Sequence, residues 1–206
     1  MQMNREDYRK DPCRASTLPF WKTERIEIPE QISIYREDRF DSTRIKGADE
    51  PYFRLLHRLE EVPRPVLPAG FELGGGDFAA FAAHIGACYD KEGVTAEELA
   101  ACALRPVYDP SLWIAVRNSA DRRIVASGVA DLDARIGEGI PEWIQVSPDC
   151  RGRGLGRFVV CELLRRMRGR ASFATVSGRL NNPGALALYL SCGFEEPVIW
   201  HVVTRA

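Results

Sequence analysis

The sequence lacks any long hydrophobic segment, and its longest apolar run, residues 78–83, is far too short to cross a bilayer. It also lacks an excess of either charge, because 28 Lys and Arg nearly balance 29 Asp and Glu. A net charge of −1 and a pI near 6.3 argue against nucleic acids or anionic membranes as partners. Residues 1–11 are rich in charge and have no apolar core, unlike a signal peptide. These absences predict a cytoplasmic protein.

Histidine and paired cysteine are also scarce, which argues against a metal site. The chain has three His, and its six Cys are scattered without a Cys-x-x-Cys pair or a His at ligand spacing. We therefore expect no metal and reduced thiols, as is usual in the cytosol. With 206 residues and an apolar share of 45%, the composition suits one globular domain carrying an extension.

A proline-rich stretch divides the chain. Three of the residues in segment 63–68 are proline, and Gly70 follows shortly after them. Such punctuation predicts a boundary between an N-terminal extension, residues 1–68, and a main domain, residues 69–206.

The extension has weaker patterns than the rest of the chain. Residues 25–28 and 32–35 alternate in the manner of short β-strands. Residues 52–59 alternate less clearly, and we interpret them as a short helix. The extension is expected to pack on the main domain.

The main domain alternates strand and helix patterns in the order βαα-βββ-αβ-αβ, which predicts an α+β fold with a mixed sheet. The expected strands are residues 71–73, 112–117, 124–131, 142–146, 173–177 and 197–204. The expected helices are residues 77–89, 95–105, 155–168 and 182–192. Thr95 and Glu98 form a capping-box pattern, and Asn182 precedes Pro183 as an N-cap precedes the first helical residue.

The most informative motif is the run 151–156, Arg-Gly-Arg-Gly-Leu-Gly, between a strand that ends at Val146 and an amphipathic helix. Glycines let the backbone approach a ligand closely, and the first turn of a helix leaves N–H donors unpaired. The helix dipole adds partial positive charge there, so the order predicts a diphosphate site. The spacing fits neither a dinucleotide fingerprint nor a P-loop. The plainer alternative is a glycine-rich turn without a ligand.

Two segments together resemble the GNAT superfamily of acyl-CoA-dependent N-acetyltransferases. Residues 151–156 match its Q/R-x-x-G-x-G/A motif, and Val146-Ser147-Pro148 matches the strand ending before it. Residues 182–189, Asn-Pro-Gly-Ala-Leu-Ala-Leu-Tyr, match the N-x-x-A-x-x-L-Y run, and Gly193-Phe194 follows as expected. The resemblance implies a mixed central sheet that is splayed between its fourth and fifth strands and flanked by helices.

The resemblance also implies acetyl-CoA as co-substrate and a role for each part of the motifs. Backbone N–H groups of the motif loop would hold the coenzyme pyrophosphate; this set comprises Arg151, Gly152, Arg153, Gly154, Leu155, Gly156 and Arg157. The pantetheine arm would pair with the main chain of Ile144, Gln145 and Val146. Asn182 would lie near this arm, and Tyr189 near the thioester sulfur.

The reaction requires few special side chains. An amine attacks the thioester directly, a backbone N–H stabilises the oxyanion, and orientation supplies much of the rest. The hydroxyl of Tyr189 is the candidate acid for the departing thiolate, although a tyrosine at this spacing can also simply fill the core. Glu142 is the candidate base because it begins the strand beside the thioester and shares parity with Ile144.

Other polar residues compete with Glu142 or have plainer explanations. His201 lies on an apolar face of the last strand and is the second candidate base, with a water chain as the third. His57 and His84 are interpreted as structural. Glu138 lies between two glycines and is expected to be solvated in a turn.

The leading hypothesis is an N-acetyltransferase that moves acetyl from acetyl-CoA to a primary amine in a ternary complex. The alternative from another class is a non-catalytic acyl-CoA-binding sensor or regulatory module. A different acyl group on the same scaffold is a third option. The acceptor, a small-molecule or peptide amine, is not encoded in any motif, and a homodimer is compatible with the sequence.

Overall fold

The computed structural model describes residues 4–89 and 93–205, and the main-domain elements follow the predicted order. The strands are β1 (Ile32–Arg36), β2 (Ala48–His57), β3 (Phe71–Gly74), β4 (Tyr108–Asn118), β5 (Ile124–Asp133), β6 (Glu138–Val146), β7 (Phe173–Arg179) and β8 (Glu195–Thr204). The helices are α1 (Arg5–Lys10), α2 (Pro12–Ala15), α3 (Phe20–Thr23), α4 (Phe78–Cys88), α5 (Ala96–Cys102), α6 (Leu155–Met167) and α7 (Pro183–Ser191).

The strands form a mixed sheet in the order β1-β8-β2-β7-β6-β5-β4-β3. This confirms the predicted α+β fold with a central mixed sheet flanked by helices. The fourth and fifth strands of the predicted main domain are β6 and β7. In agreement with the predicted splay, their parallel ladder has two residue pairs, Glu138 with Phe173 and Gly139 with Ala174.

Two predictions for the extension were wrong. Residues 52–59 fall mostly in β2, where Phe53 pairs with Ile199 of β8, so pairing across the sheet overrides a weak local pattern. Residues 25–28 join no strand of the described chain, and Ile26 and Ile28 are about half exposed. The run 32–35 is confirmed as part of β1. The extension therefore contributes β1 and β2, both paired with β8, to the sheet.

Residue contacts group the chain into two units, a first unit of Met1–Arg58 with Thr175–Ala206 and a second unit of Leu59–Ala174. Residues 1–3, 90–92 and 206 lie outside the described residues. The division at residue 68 suggested by the prolines stays a prediction.

In the second unit, α6 packs closely on one face of the sheet. A Cβ added at Gly128 of β5 would overlap Val159, and one added at Gly139 of β6 would overlap Met167. The six apolar residues that predicted this helix are all buried: Leu155, Phe158, Val159, Leu163, Leu164 and Met167. The opposite face carries α4 and α5 over a core that includes Phe81 and Trp113. Helix α6 is therefore fixed to β5 and β6, and its N-terminus lies where β6 ends.

In the first unit, a buried arginine organises the segments around β2. Arg54 is 1% exposed. Its guanidinium donates to the Thr17 carbonyl oxygen at 2.9 Å and to the Tyr8 hydroxyl at 2.7 Å. It also donates to the hydroxyls of Thr175 at 3.1 Å and Ser177 at 3.3 Å. A buried charge needs such a set of oxygen acceptors, and here they fix the N-terminal segment against the strands of its own unit.

Candidate active site

Strand β6 carries the first feature of the site, an extra residue at Glu142. Val129 of β5 lies opposite Trp143, whereas the next residue, Ala130, lies opposite Pro141. Glu142 therefore has no direct counterpart on β5, which is the arrangement of a β-bulge. A bulge interrupts the alternation of faces along a strand. The bulge therefore sets the face to which the half-buried Glu142 side chain points, and the regular alternation along the strand does not predict it.

Beyond the bulge, the side chains of Ile144 and Gln145 on β6 pack within the second unit. Ile144 pairs with Gly128 and lies on the face covered by α6, while Gln145 is 5% exposed and points to the opposite face. Along this stretch β6 pairs with β5 as far as Val146, and its ladder with β7 ends at Gly139. What residues 144–146 can offer to a ligand is therefore mainly their backbone.

The glycine motif forms an exposed turn that leads into α6. Gly152 and Gly154 have left-handed φ angles of +74° and +80°, which glycine adopts without strain. A Cβ at Gly152 would meet nothing within 4 Å, so the backbone is open on that side. A left-handed residue followed directly by helical residues turns successive N–H groups toward one concave spot, which suits an anion.

The first turn of α6 presents its amides at the same place. The Phe158 amide donates to the Gly154 carbonyl oxygen at 3.0 Å, which closes the first helical hydrogen bond. By helix geometry, the amides of Leu155 and Gly156 precede this bond and have no acceptor within the helix. The dipole of this 13-residue helix adds positive potential at its N-terminus. The turn and the helix together therefore present backbone donors and positive potential at one place, which is the chemistry that suits a phosphate-bearing ligand.

Charged side chains around the turn reinforce this potential. Arg151, Arg153 and Arg157 are exposed. The Arg153 guanidinium lies over the Phe71 ring, 4.7 Å from its centroid. Asp149 is the one acidic residue in segment 147–157, and it is held by an ion pair with Arg123 at 2.5 Å. Hydrogen bonding to Arg123 lowers the pKa of Asp149, so this carboxylate is ionised at neutral pH and its charge is compensated by the arginine.

A buried polar cluster lies behind the turn. His84 of α4 is 6% exposed; its Nδ1 lies 2.8 Å from the Ser127 hydroxyl and its Nε2 lies 3.1 Å from the Ser147 hydroxyl. The side-chain amide of Gln145 also bonds to Ser127. The thiol of Cys88 lies 3.6 Å from the same Nε2. The cluster thus joins α4, β5 and β6 at the residue where the turn begins.

Acidification is expected to destabilise the fold through His84. Burial, with a smaller contribution from the Arg123 charge, lowers the pKa of His84 from 6.5 to about 4. The unfolded chain therefore binds more protons than the fold between pH 6.5 and 4, and stability falls as the pH falls through this window. Between pH 7 and 4, the free energy of unfolding of His84→Gln, measured with urea, should fall by about 2 kcal/mol less than that of the unaltered protein. Equal losses in the two proteins would contradict this assignment.

Helix α7 in the first unit carries the other predicted site residues. Asn182 is its N-cap, and its side-chain oxygen accepts from the Ala185 amide at 3.1 Å, so the amide NH2 group is what it can offer to a ligand. Tyr189 is 6% exposed, with ring centroids 6.3 Å from Phe53 and 5.6 Å from Phe194. The ring is therefore part of the core, as the plainer alternative anticipated, and the role of its hydroxyl stays a prediction.

His201, the second candidate base, has structural contacts in the first unit. Its Nδ1 lies 2.9 Å from a carboxylate oxygen of Asp49, and its ring stacks on Phe40 with centroids 3.8 Å apart. His57 is 2% exposed, packs edge-on against Phe194, and has its pKa lowered by burial. Both contact sets favour structural roles for these two histidines.

The expectation that Glu138 is solvated in a turn was wrong. Glu138 is fully buried and begins β6, where it lies opposite Asp133. The pairing of β5 with β6 extends four residues further than the pattern suggested, and so it draws this glutamate into the sheet. Glycines on both sides of a residue predict a turn, but here Gly139 is required for the close approach of α6.

The sequence pattern indicates a structural role for His84 but does not identify its partners. His84 lies at helical spacing from Phe81, Ile85 and Cys88, and this spacing indicates that it lies on the core face of α4. Its serine partners lie 43 and 63 residues away and have no distinctive pattern. No group of three or more metal-ligating side chains occurs in residues 4–89 and 93–205. In the same residues, no helix combines the length and apolarity that a membrane crossing needs.

Comparisons with known proteins agree with this geometry. Residues 91–196 match the family model for the acetyltransferase (GNAT) domain. A GCN5-related N-acetyltransferase from Sphaerobacter thermophilus superposes with a TM-score of 0.63 at 20% identity, over 75% of this chain and 51% of that one. A Drosophila protein gives 0.60 at 19% identity, over 78% and 52%. No curated protein sequence matches.

A third structure is covered almost completely by this chain. The ribosomal-protein-S18-alanine N-acetyltransferase from Escherichia coli gives a TM-score of 0.52 at 18% identity, over 66% of this chain and 96% of that one. Identities this low indicate a shared fold alone. The present chain spans about half of the length of each of the first two structures.

Proposed function

We propose that this chain, which belongs to the GNAT acetyltransferase family, transfers an acetyl group from acetyl-CoA directly to a primary amine. The observation that carries the proposal is the exposed turn at Gly152 and Gly154. It leads from the end of β6 into the N-terminus of α6, and it is glycine at both left-handed positions. A turn that served only to reverse the chain would not need helix-terminal amides, the positive end of a helix dipole and three exposed arginines in one short segment.

In the proposed complex, the coenzyme diphosphate binds to this turn. The amides of Leu155 and Gly156 donate to its oxygens, with those of the preceding turn residues. Arg151, Arg153 and Arg157 supply charge at longer range. This arrangement fixes the coenzyme at one end of β6, which is the end opposite the hairpin with β5.

The pantetheine arm then follows the edge of β6 that faces away from β5. The peptide groups of residues 144–146 on that edge lie beyond the two-pair ladder with β7, and an amide-bearing arm can complete their hydrogen bonding. Asn182 is proposed to contact the same arm through its side-chain NH2 group. The thioester would thereby lie near the bulge at Glu142.

The chemical step is attack of the amine nitrogen on the thioester carbonyl carbon. The C–N bond forms, the carbonyl oxygen takes up negative charge, and the collapse of this intermediate breaks the C–S bond. A backbone N–H of β6 near the bulge is proposed to stabilise the oxyanion. The thiolate leaves as CoA and takes a proton, for which the hydroxyl of Tyr189 is the proposed donor. The nitrogen carries an extra proton after the attack and releases it as the amide forms, and this proton restores the Tyr189 hydroxyl through solvent.

Before attack, the amine must lose a proton. For an alkylammonium with a pKa near 10.4, this loss costs about 4–5 kcal/mol at pH 7. We propose Glu142 as the base, either directly or through a water. Its position at the bulge supports the assignment, because bulges redirect a side chain at a point where strand pairing is relaxed.

We expect Glu142→Gln to lower kcat about 30-fold at pH 7, because the amide cannot accept the proton while water partly replaces it. The deficit should shrink toward pH 10, where the free amine is abundant. Steady-state rates from pH 6 to 10 measure this, with Glu97→Gln on the exposed surface of α5 as the matched control. A deficit that is constant with pH would rule out a base role for Glu142.

The second candidate function is a non-catalytic acyl-CoA-binding sensor, and one assay separates the two. The assay measures thiol release from acetyl-CoA with a panel of primary amines, including amino acids, polyamines and a peptide N-terminus. Amine-dependent release of CoA supports the enzyme and identifies the acceptor class. Tight CoA binding by calorimetry without release for any amine would support the sensor instead. Repeating the assay with succinyl-CoA tests the acyl group.

A further inference from the structure

Ser147 is held in place by both of its backbone polar groups. Its amide donates to the Val125 carbonyl oxygen at 2.9 Å, which extends the β5–β6 pairing by one residue. Its own carbonyl oxygen accepts from the Cys150 amide at 2.8 Å, which closes the 3-10 turn Pro148–Cys150. Ser147 is thus both the end of the sheet pairing and the start of the turn.

The side chain of Ser147 supplies a third attachment, and this one comes from α4. Its hydroxyl lies 3.1 Å from Nε2 of His84, and both residues are more than nine-tenths buried. His84 is held in turn by Ser127, which also bonds to Gln145. The imidazole therefore spans from a residue on β5 to the first residue of the turn.

A neutral imidazole satisfies this arrangement with one donor and one acceptor nitrogen. In one arrangement Ser127 donates to Nδ1, and Nε2–H donates to Ser147. In the other, Nδ1–H donates to Ser127, and Nε2 accepts from Ser147. In both arrangements, the hydroxyls of Ser127 and Ser147 and the two ring nitrogens of His84 all take part in a hydrogen bond.

The segment that follows is held mainly through exposed arginines: Arg151 donates to the Val146 carbonyl oxygen at 3.3 Å, and Arg153 lies over the Phe71 ring. Residues 151–154 are exposed, and Gly152 has open space where a side chain would be. The direction in which the backbone N–H groups of residues 151–154 point therefore depends on the two fixed ends of the segment, Ser147 and α6. Binding an anion with backbone amides loses affinity when the amides must be ordered at the moment of binding.

We propose that His84 is a positioning residue for coenzyme binding, which acts by holding Ser147 at the start of the diphosphate-binding turn. The proposal rests on the proposed function and deepens it. It predicts a selective effect: loss of the His84–Ser147 bond weakens the affinity for CoA and leaves the acyl-transfer step unchanged. Neither residue needs to contact the coenzyme.

The test is a double-mutant cycle on CoA affinity with His84→Gln, Ser147→Ala and the double variant. We expect each single variant to raise the Kd of CoA about tenfold by calorimetry, and the double variant to raise it no further. The KM for acetyl-CoA should rise with the Kd, while kcat at saturating acetyl-CoA stays within about twofold. Ser147→Ala removes a single oxygen atom, so the test remains decisive if His84→Gln does not fold.

Two matched controls accompany the cycle. His57→Gln removes a buried histidine from the first unit and should leave the Kd of CoA unchanged. Cys102→Ala removes a half-buried thiol of α5, which donates to the Glu98 carbonyl oxygen at 3.2 Å, and should also leave it unchanged, because this thiol lies outside the His84–Ser147 pair. A CoA affinity that falls as much with either control as with His84→Gln would overturn the proposal.

The remaining outcomes separate this inference from the proposed function. If the unaltered protein binds CoA and Ser147→Ala binds it equally well, the positioning role is wrong and the proposed function stands. The positioning role is also wrong if the two single effects multiply to about a hundredfold in the double variant, since the residues would then act independently. If the unaltered protein does not bind CoA, both proposals are wrong.

Discussion

Replacing Gly154 with aspartate is expected to abolish measurable binding of CoA. Gly154 precedes the first residue of α6, so a carboxylate there would lie beside the proposed diphosphate. Two like charges about 4 Å apart repel by about 4 kcal/mol near a protein surface, which corresponds to roughly a thousandfold loss of affinity. Isothermal calorimetry with CoA measures the effect directly.

Two controls separate this charge effect from backbone strain. Gly154→Asn has nearly the same shape without the charge, and asparagine tolerates a left-handed φ, so we expect a loss of at most about tenfold. Gly169 has a φ of +78° and open space at the other end of α6, and Gly169→Asn should leave CoA affinity unchanged. Equal affinities of the Asp and Asn variants at position 154 would show that no diphosphate binds there.

Tyr189→Phe is expected to lower kcat at least about 100-fold with little change in the KM for acetyl-CoA. The ring of Tyr189 packs near Phe53 and Phe194, and phenylalanine retains that packing. The substitution therefore removes the hydroxyl alone. General acid catalysis contributes about 10²–10⁴ to a rate, so its loss should appear in turnover rather than in binding or folding.

The control for Tyr189 is another tyrosine of the first unit. The hydroxyl of Tyr52 donates to Glu50 at 2.6 Å on the surface of β2. Tyr52→Phe should leave kcat and the melting temperature nearly unchanged. If Tyr189→Phe instead turns over at the normal rate and only melts at a lower temperature, the residue is a core tyrosine and the thiolate takes its proton from water.

The glycine turn before α6 was predictable because its conformation depends on residues that are close together in the sequence. Left-handed glycines, an N-terminus with unpaired amides and an amphipathic helix involve residues within a few positions of one another. Hence the buried stripe of α6 is confirmed, and Gly152 and Gly154 lie in a left-handed turn directly before this helix, while their role in binding a diphosphate stays a prediction. The capping box at Thr95 and the N-cap at Asn182 are confirmed for the same reason, since a cap bonds to amides two or three residues away.

Strand pairing in the extension depended on partners far along the chain. Residues 52–59 have a weak local pattern, and β8, about 140 residues later, makes them a strand. The burial of Glu138 and the bulge at Glu142 likewise follow from the register of β6 against β5. Register is a property of two strands together, so neither strand alone contains it.

The His84 cluster marks the same limit in the candidate site. A histidine on the core face of a helix is compatible with many partners, and the choice of Ser127 and Ser147 was made by the packing of α4 over the sheet. A sequence pattern can reveal a binding group when a few neighbouring residues form it with their own backbone. Side-chain hydrogen bonds between distant segments form only when the sheet and helices have brought them within about 3 Å, because such a bond weakens steeply beyond that range.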